Sequence, residues 1–141
     1  MVWDNLLVPS ETVTIIMDPI TGALTGADAI TAGGNNARST SFIAGGSADA
    51  TYTFSINGTS SNNGETVTTD VELVTDATVV DGNVGTMILS DFTLKYDNGM
   101  AYGKIQSDGE DEIFVGASLT IAGNQNQGSY TGSYNASIDY N

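Results

Sequence analysis

The chain contains no cysteine and no histidine. Without cysteine there are no disulfides and no thiolate metal sites. Without histidine the Ser–His–Asp and Cys–His catalytic arrangements are excluded, as are His-ligated zinc sites. Positive charge is nearly missing as well. Arg38, Lys95 and Lys104 stand against 17 Asp and Glu, for a formal net charge of −14. Nucleic acid is therefore not an expected partner, because phosphate contacts need clustered Lys and Arg. Anionic lipid is set aside for the same reason. Acidity on this scale favours solubility and keeps molecules apart. No apolar run approaches the roughly 18 residues of a membrane helix, so no membrane insertion is expected. The opening MVWDNLLVPSE has neither the basic region nor the apolar region of a signal peptide. The expectation is an exported product whose leader has been removed, or a protein made and assembled inside a cell. Glycine motifs that cradle phosphate are absent too. Carboxylate pairs can hydrolyse glycosides, but in so acidic a chain a pair carries no information. Neither an enzyme nor a cofactor is expected.

What the sequence does contain is alternation. Its 141 residues fit one domain long enough to bury a core. Gly is abundant at 17, Thr, Ser and Asn are frequent, and the composition is that of an exported all-β protein. Period-two patterns recur and helical spacing hardly appears. Val13, Ile15 and Met17 share a face in 11–18, before the turn DPITG. Ala50, Tyr52, Phe54 and Ile56 share a face in 50–57. Further strands are expected over 66–74, over 84–96 with a break near Ser90–Asp91, over 100–106 and over 113–122. Residues 57–65 and 123–128 read as polar loops, and DNG at 97–99 reads as a hairpin turn. Residues 25–41 have no clear period, although 28–31 has room for a short strand or a helical turn. The expectation is an all-β, two-sheet antiparallel β-sandwich of about eight to ten strands, with a closed barrel as the alternative.

Candidate sites are few. Asp108, Glu110, Asp111 and Glu112 gather carboxylates that could suit calcium, but their spacing is not that of a 12-residue calcium loop. The plainer reading is a charged turn in solvent, and the same holds for Asp76, Asp81 and Asn83. Asn57-Gly58-Thr59 and Asn135-Ala136-Ser137 match the glycosylation sequon. Residues 1–9 stand apart from the main pattern and are read as an N-terminal extension to a domain at 10–141. Strict alternation there puts Val2, Leu6 and Val8 on one face, and Met1, Trp3 and Leu7 on the other. This extension either caps its own sandwich or pairs with a neighbouring subunit, through Val2, Trp3, Leu6, Leu7 and Val8. The chain ends GSYTGSYNASIDYN, where Tyr130, Tyr134, Ala136, Ile138 and Tyr140 alternate with polar residues after Gly128.

Three stretches carry a resemblance: VTIIMDPITG, then ATYTFSIN, then IFVGASLTIAGNQNQGSYTGSYNASIDYN. Together they resemble the DUF4402 family, most specifically in the block at 115–119, Asn124–Gln125 and 128–132. The resemblance implies an exported bacterial protein with an Ig-like, pilin-like sandwich. The last strand also resembles that of chaperone–usher fimbrial subunits. Gly128 is the fourteenth residue counted back from Asn141, and Tyr140 is penultimate. That likeness implies a filament of copies of this chain on the bacterial surface, joined head to tail by non-covalent donor-strand exchange, with a periplasmic chaperone and usher as further partners. Inserting about four apolar side chains into a neighbour would contribute roughly 6–12 kcal/mol gross. The alternatives are a surface module binding glycan or calcium through loops 57–65, 76–83 and 107–112, and a virion decoration protein.

Overall fold

The structure is a computed structural model that describes residues 1–26 and 36–141. Among them there is no helix, and none long and apolar enough to cross a membrane. The expected strand or turn at 28–31 lies outside the described residues. Among the described residues there are twelve strands: β1 (Val13–Met17), β2 (Leu24–Thr25), β3 (Thr40–Gly45), β4 (Thr51–Ile56), β5 (Thr59–Ser60), β6 (Thr66–Val67), β7 (Val71–Thr75), β8 (Thr86–Tyr96), β9 (Gly103–Lys104), β10 (Glu110–Ile121), β11 (Tyr130–Thr131) and β12 (Ala136–Tyr140). They form two antiparallel sheets, as expected of a β-sandwich. The large sheet runs β11-β7-β8-β10-β1-β2, with β6 also on β8 and β3 also on β10. The small sheet runs β12-β4-β5, with β9 also on β4.

The long strands β8 and β10 form the spine. Their alternation buries Phe92, Leu94 and Tyr96 from one, and Ile113, Val115, Ala117, Leu119 and Ile121 from the other. Each fully buried side chain of the larger kind contributes about 1.5–3 kcal/mol. The break expected near Ser90–Asp91 is a bulge within one continuous strand. The register shifts between Gly116 and Ser118, opposite Thr93 and Ser90, and Asp91 takes φ 48°. One extra residue on β8 sharpens the local twist without ending the ladder.

Other expectations are corrected. Strand 66–74 is two strands, β6 and β7, both on β8. Strand β3 was not foreseen; its Phe42 and Ala44 point inward inside a Ser- and Gly-rich stretch. The loop at 57–65 begins instead as a hairpin, because Asn57 (φ 48°) and Gly58 (φ 80°) supply the two left-handed residues of a tight turn. DNG does turn the chain, but it passes from β8 in the large sheet to β9 in the small one. Of the expected strand 100–106, Gly103–Lys104 forms β9 on β4, and Ile105 adds backbone bonds to Asp49 and Ala50. The terminal strand is also divided: β11 pairs with β7 in one sheet and β12 with β4 in the other.

The DPITG turn after β1 is closed by its own acid. Asp18 Oδ1 accepts from the Thr21 N–H (2.7 Å), Thr21 Oγ1 (2.9 Å) and the Ile20 N–H (3.0 Å). Those bonds, first the Thr21 N–H and then its hydroxyl, hold the carboxyl below its ordinary value of 3.8. The folded state therefore binds fewer protons than the unfolded one in this range. The stability it supplies is complete above the ordinary carboxylate value and is lost as pH falls through the depressed one. Asp18→Ala is expected to cost about 1 kcal/mol at neutral pH. Melting temperatures of the two proteins, followed from about pH 7 to about pH 2, should converge in acid.

Candidate functional site

The small sheet does not cover the whole inner face of the large one. Towards the ends of β7, β8 and β10, Val71, Leu73, Met87, Leu89, Leu119 and Ile121 form an apolar floor. No residue of β4, β5, β9 or β12 lines this region. It is walled by residues 1–8 on one side and by 126–134 on the other, around a groove of about 890 Å³.

The N-terminal segment serves as a roof without belonging to any strand. Met1, Trp3 and Leu6 pack on the core, while Val2, Leu7 and Val8 are exposed. This differs from the expected faces, which put Leu6 with Val2 and Leu7 with Trp3. The cause is Asn5, whose left-handed φ of 53° breaks the alternation and brings Leu6 to the side of Trp3. Val2 pairs with Arg38 through two backbone hydrogen bonds of 2.8 Å, and Asn36 Nδ2 donates to Asp4 Oδ2 at 3.2 Å. The buried Trp3 indole N–H finds no acceptor among the described residues. Three half-buried side chains contribute about 2–5 kcal/mol. That is less than four fully inserted ones would give.

The opposite wall is fixed by a polar cluster. Gln125 Nε2 donates to the carbonyls of Val84 (2.9 Å) and Thr86 (3.0 Å) and lies 2.8 Å from the Tyr130 hydroxyl. Tyr130 in turn donates to the Asn126 carbonyl at 2.6 Å. Asn126 Oδ1 accepts from the Val80 N–H at 3.0 Å. Gln125 and Asn126, both buried, thus tie the 76–84 loop to the terminal segment. Nothing in the period-two pattern marks them; the only signal was their place in the NQNQG motif.

The terminal residues do not share one face. A Cβ on Gly128 would lie 2.5 Å from Thr75 Oγ1 and 2.8 Å from the Ala77 Cβ, so close packing accounts for this glycine. The Tyr134 ring sits 5.1 Å from that of Phe92, and burial raises its phenol pKa. Ala136 is exposed, Ile138 packs on the core, and Tyr140 is half exposed with its hydroxyl donating to the Gly45 carbonyl at 2.6 Å. The two sequons meet: the Asn135 N–H donates to Asn57 Oδ1 and the Asn57 N–H to the Asn135 carbonyl.

The acidic run does not converge. β10 starts inside it, so Glu110 and Glu112 point away from Asp111, which is buried at 1% exposure, while Asp108 stays in the turn. Asp111 accepts from the Tyr52 hydroxyl and from Asn98, and so belongs to the core. No three acidic side chains come together as a metal site among the described residues. In the groove, Asp4 is the one carboxylate or basic side chain among the lining residues. A lining of this kind can hold an apolar segment through shape and contact area.

A family profile described as "Domain of unknown function (DUF4402)" matches residues 8–140. Comparison with curated proteins finds no match, and comparison with solved structures finds none either.

Proposed function

This chain belongs to the DUF4402 family, and on that footing we propose that it is a structural subunit of an extracellular bacterial filament. In this reading residues 1–9 of one copy fill the groove of the next. Export with removal of a leader, and delivery by a periplasmic chaperone and usher, are parts of the same reading. One observation carries it. Part of the large sheet's inner face is covered by a strandless segment, of which residues 1–7 lie outside the matched domain, rather than by the second sheet. A floor of six apolar side chains suits an extended segment, which gains contact area from the side chains on its inward face. Passing the segment head to tail does not close a ring, so the assembly grows as a fibre.

Negative-stain electron microscopy of the full chain beside a variant lacking residues 1–9 tests this. Filaments from the full chain, and none from the truncation, are the expected result. A synthetic peptide of residues 1–9 added to the truncation should raise its melting temperature, because a ligand of the folded state stabilises it. Discrete monomers from both proteins at high concentration would sink the filament reading. Glycan and calcium titrations of a surface module would then come next.

A further inference from the structure

We infer that the free subunit is stored in a self-capped form, in which residues 1–8 lie packed on their own core as a wall of the groove and must leave it before a neighbour's segment can enter. This rests on the filament reading and adds its control step. The seating is intramolecular: Met1, Trp3 and Leu6 pack on the same chain's core. The Val2–Arg38 pair closes the segment down like a latch, with both hydrogen bonds at 2.8 Å. Between the capping segment and β1 runs a connector of buried Pro9 and exposed Ser10, Glu11 and Thr12. Short hinges of this kind favour exchange of an identical element between copies.

The balance between the two forms follows from what they share. A neighbour's segment makes the same contacts with the floor as the chain's own. Contact energy therefore cancels between the self-capped and exchanged forms, and local concentration decides. A tethered segment meets its groove at an effective concentration in the millimolar range. Dilute subunits stay capped. Crowded ones, or ones whose latch has been released, exchange. The occupant is thus a second copy of this chain, and the latch sets the threshold at which it enters.

The absence of cysteine makes a direct test available. Hydrogen-bonded antiparallel partners have Cα atoms about 5.5 Å apart, inside the range a disulfide spans. Val2→Cys with Arg38→Cys, at two exposed positions, therefore places a single redox-controlled lock on the latch. Oxidised in dilute solution, the protein should be a monomer with an internal disulfide, and it should form no filaments at concentrations where the reduced protein does. Reductant should restore assembly. Filaments grown reduced and then oxidised should run as a covalent ladder on a non-reducing gel, because Val2→Cys of one copy meets Arg38→Cys of the next. Subunits that assemble when reduced, yet form no internal disulfide when oxidised in dilute solution, would overturn self-capping and leave the filament reading standing. Locked monomers that assemble as readily as reduced ones, or filaments that yield only internal disulfides, would overturn the passing of residues 1–9 between copies, and the filament reading with it. A reduced protein that never assembles would remove the filament reading and self-capping with it.

Discussion

Asp111→Ala is expected to cost about 3–5 kcal/mol, a large share of the stability of a domain this size. The carboxylate is 1% exposed and is held by neutral donors. Oδ2 accepts from the Tyr52 hydroxyl (2.8 Å), Asn98 Nδ2 (2.6 Å) and the Lys104 N–H (3.3 Å), and Oδ1 from the Asn98 N–H (3.2 Å). One side chain thereby joins β10 and the turn after β8, in the large sheet, to β4 and β9 in the small one. Lys104 itself spends its charge on Asp49, at 2.7 Å. Removing the acceptor would leave several donors buried without partners, each worth about 1–3 kcal/mol. Burial first, and the hydrogen bond to Asp111 next, push the Tyr52 phenol far above its ordinary pKa, so it remains a donor throughout the working range. Tyr52→Phe should cost about 1.5–3 kcal/mol, since its bond goes to a charged group. Urea unfolding of both single variants and the double should show a coupling well above zero. A loss under about 1 kcal/mol for Asp111→Ala would contradict the role given to it here.

Gly116→Ala is expected to cost about 3 kcal/mol, although it adds one methyl group to a strand. A Cβ there would run into the Met17 carbonyl oxygen, and would also lie 2.9 Å from the Pro19 nitrogen and 3.0 Å from Thr93 Oγ1. Two of these neighbours are backbone, at the point where β1 leaves β10 for the DPITG turn. They cannot rotate away as a side chain would. Gly45→Ala is the control, because its Cβ would meet only the Gly109 carbonyl oxygen, at 3.9 Å. That variant should stay within about 0.5 kcal/mol of the parent. Comparable losses at both sites would show that a general strand effect, and not the close approach at Gly116, is responsible.

Much of the architecture was legible in the sequence because period-two burial is a local property. β1, β4 and β10 carry their inward residues at every second place, and the two-sheet class follows from such strands. Sheet membership was not legible. GSYTGSYNASIDYN reads as one strand, yet Tyr130 and Tyr140 end up in different sheets, because nothing local tells a strand to change partner midway. The faces of residues 1–8 were misassigned at Asn5, where one left-handed residue shifts the phase of all that follow. Asp111 was read with its acidic neighbours as solvent-facing, since composition masks alternation when every residue in a run is polar. The groove floor was visible as strands: all six of its residues sat in stretches expected to be strands, over 66–74, 84–96 and 113–122. That the second sheet stops short of them is a tertiary fact. Gln125 and Asn126 bond to residues some forty positions away, beyond the reach of any window.

The division of the terminal segment has a mechanical consequence. Residues 132–135 are all that separates a piece anchored in one sheet from a piece anchored in the other. Five Cα steps reach at most about 17 Å. Face-to-face sheets lie about 10 Å apart. While both anchors hold, the corner acts as a short tether that limits the lateral offset of its two anchors to about 14 Å, with Tyr134 seated against Phe92 along its length. This is the restraint that small exported domains often obtain from a disulfide. Here it is built from ordinary peptide bonds, so no reductant can release it and no oxidising compartment is needed to form it.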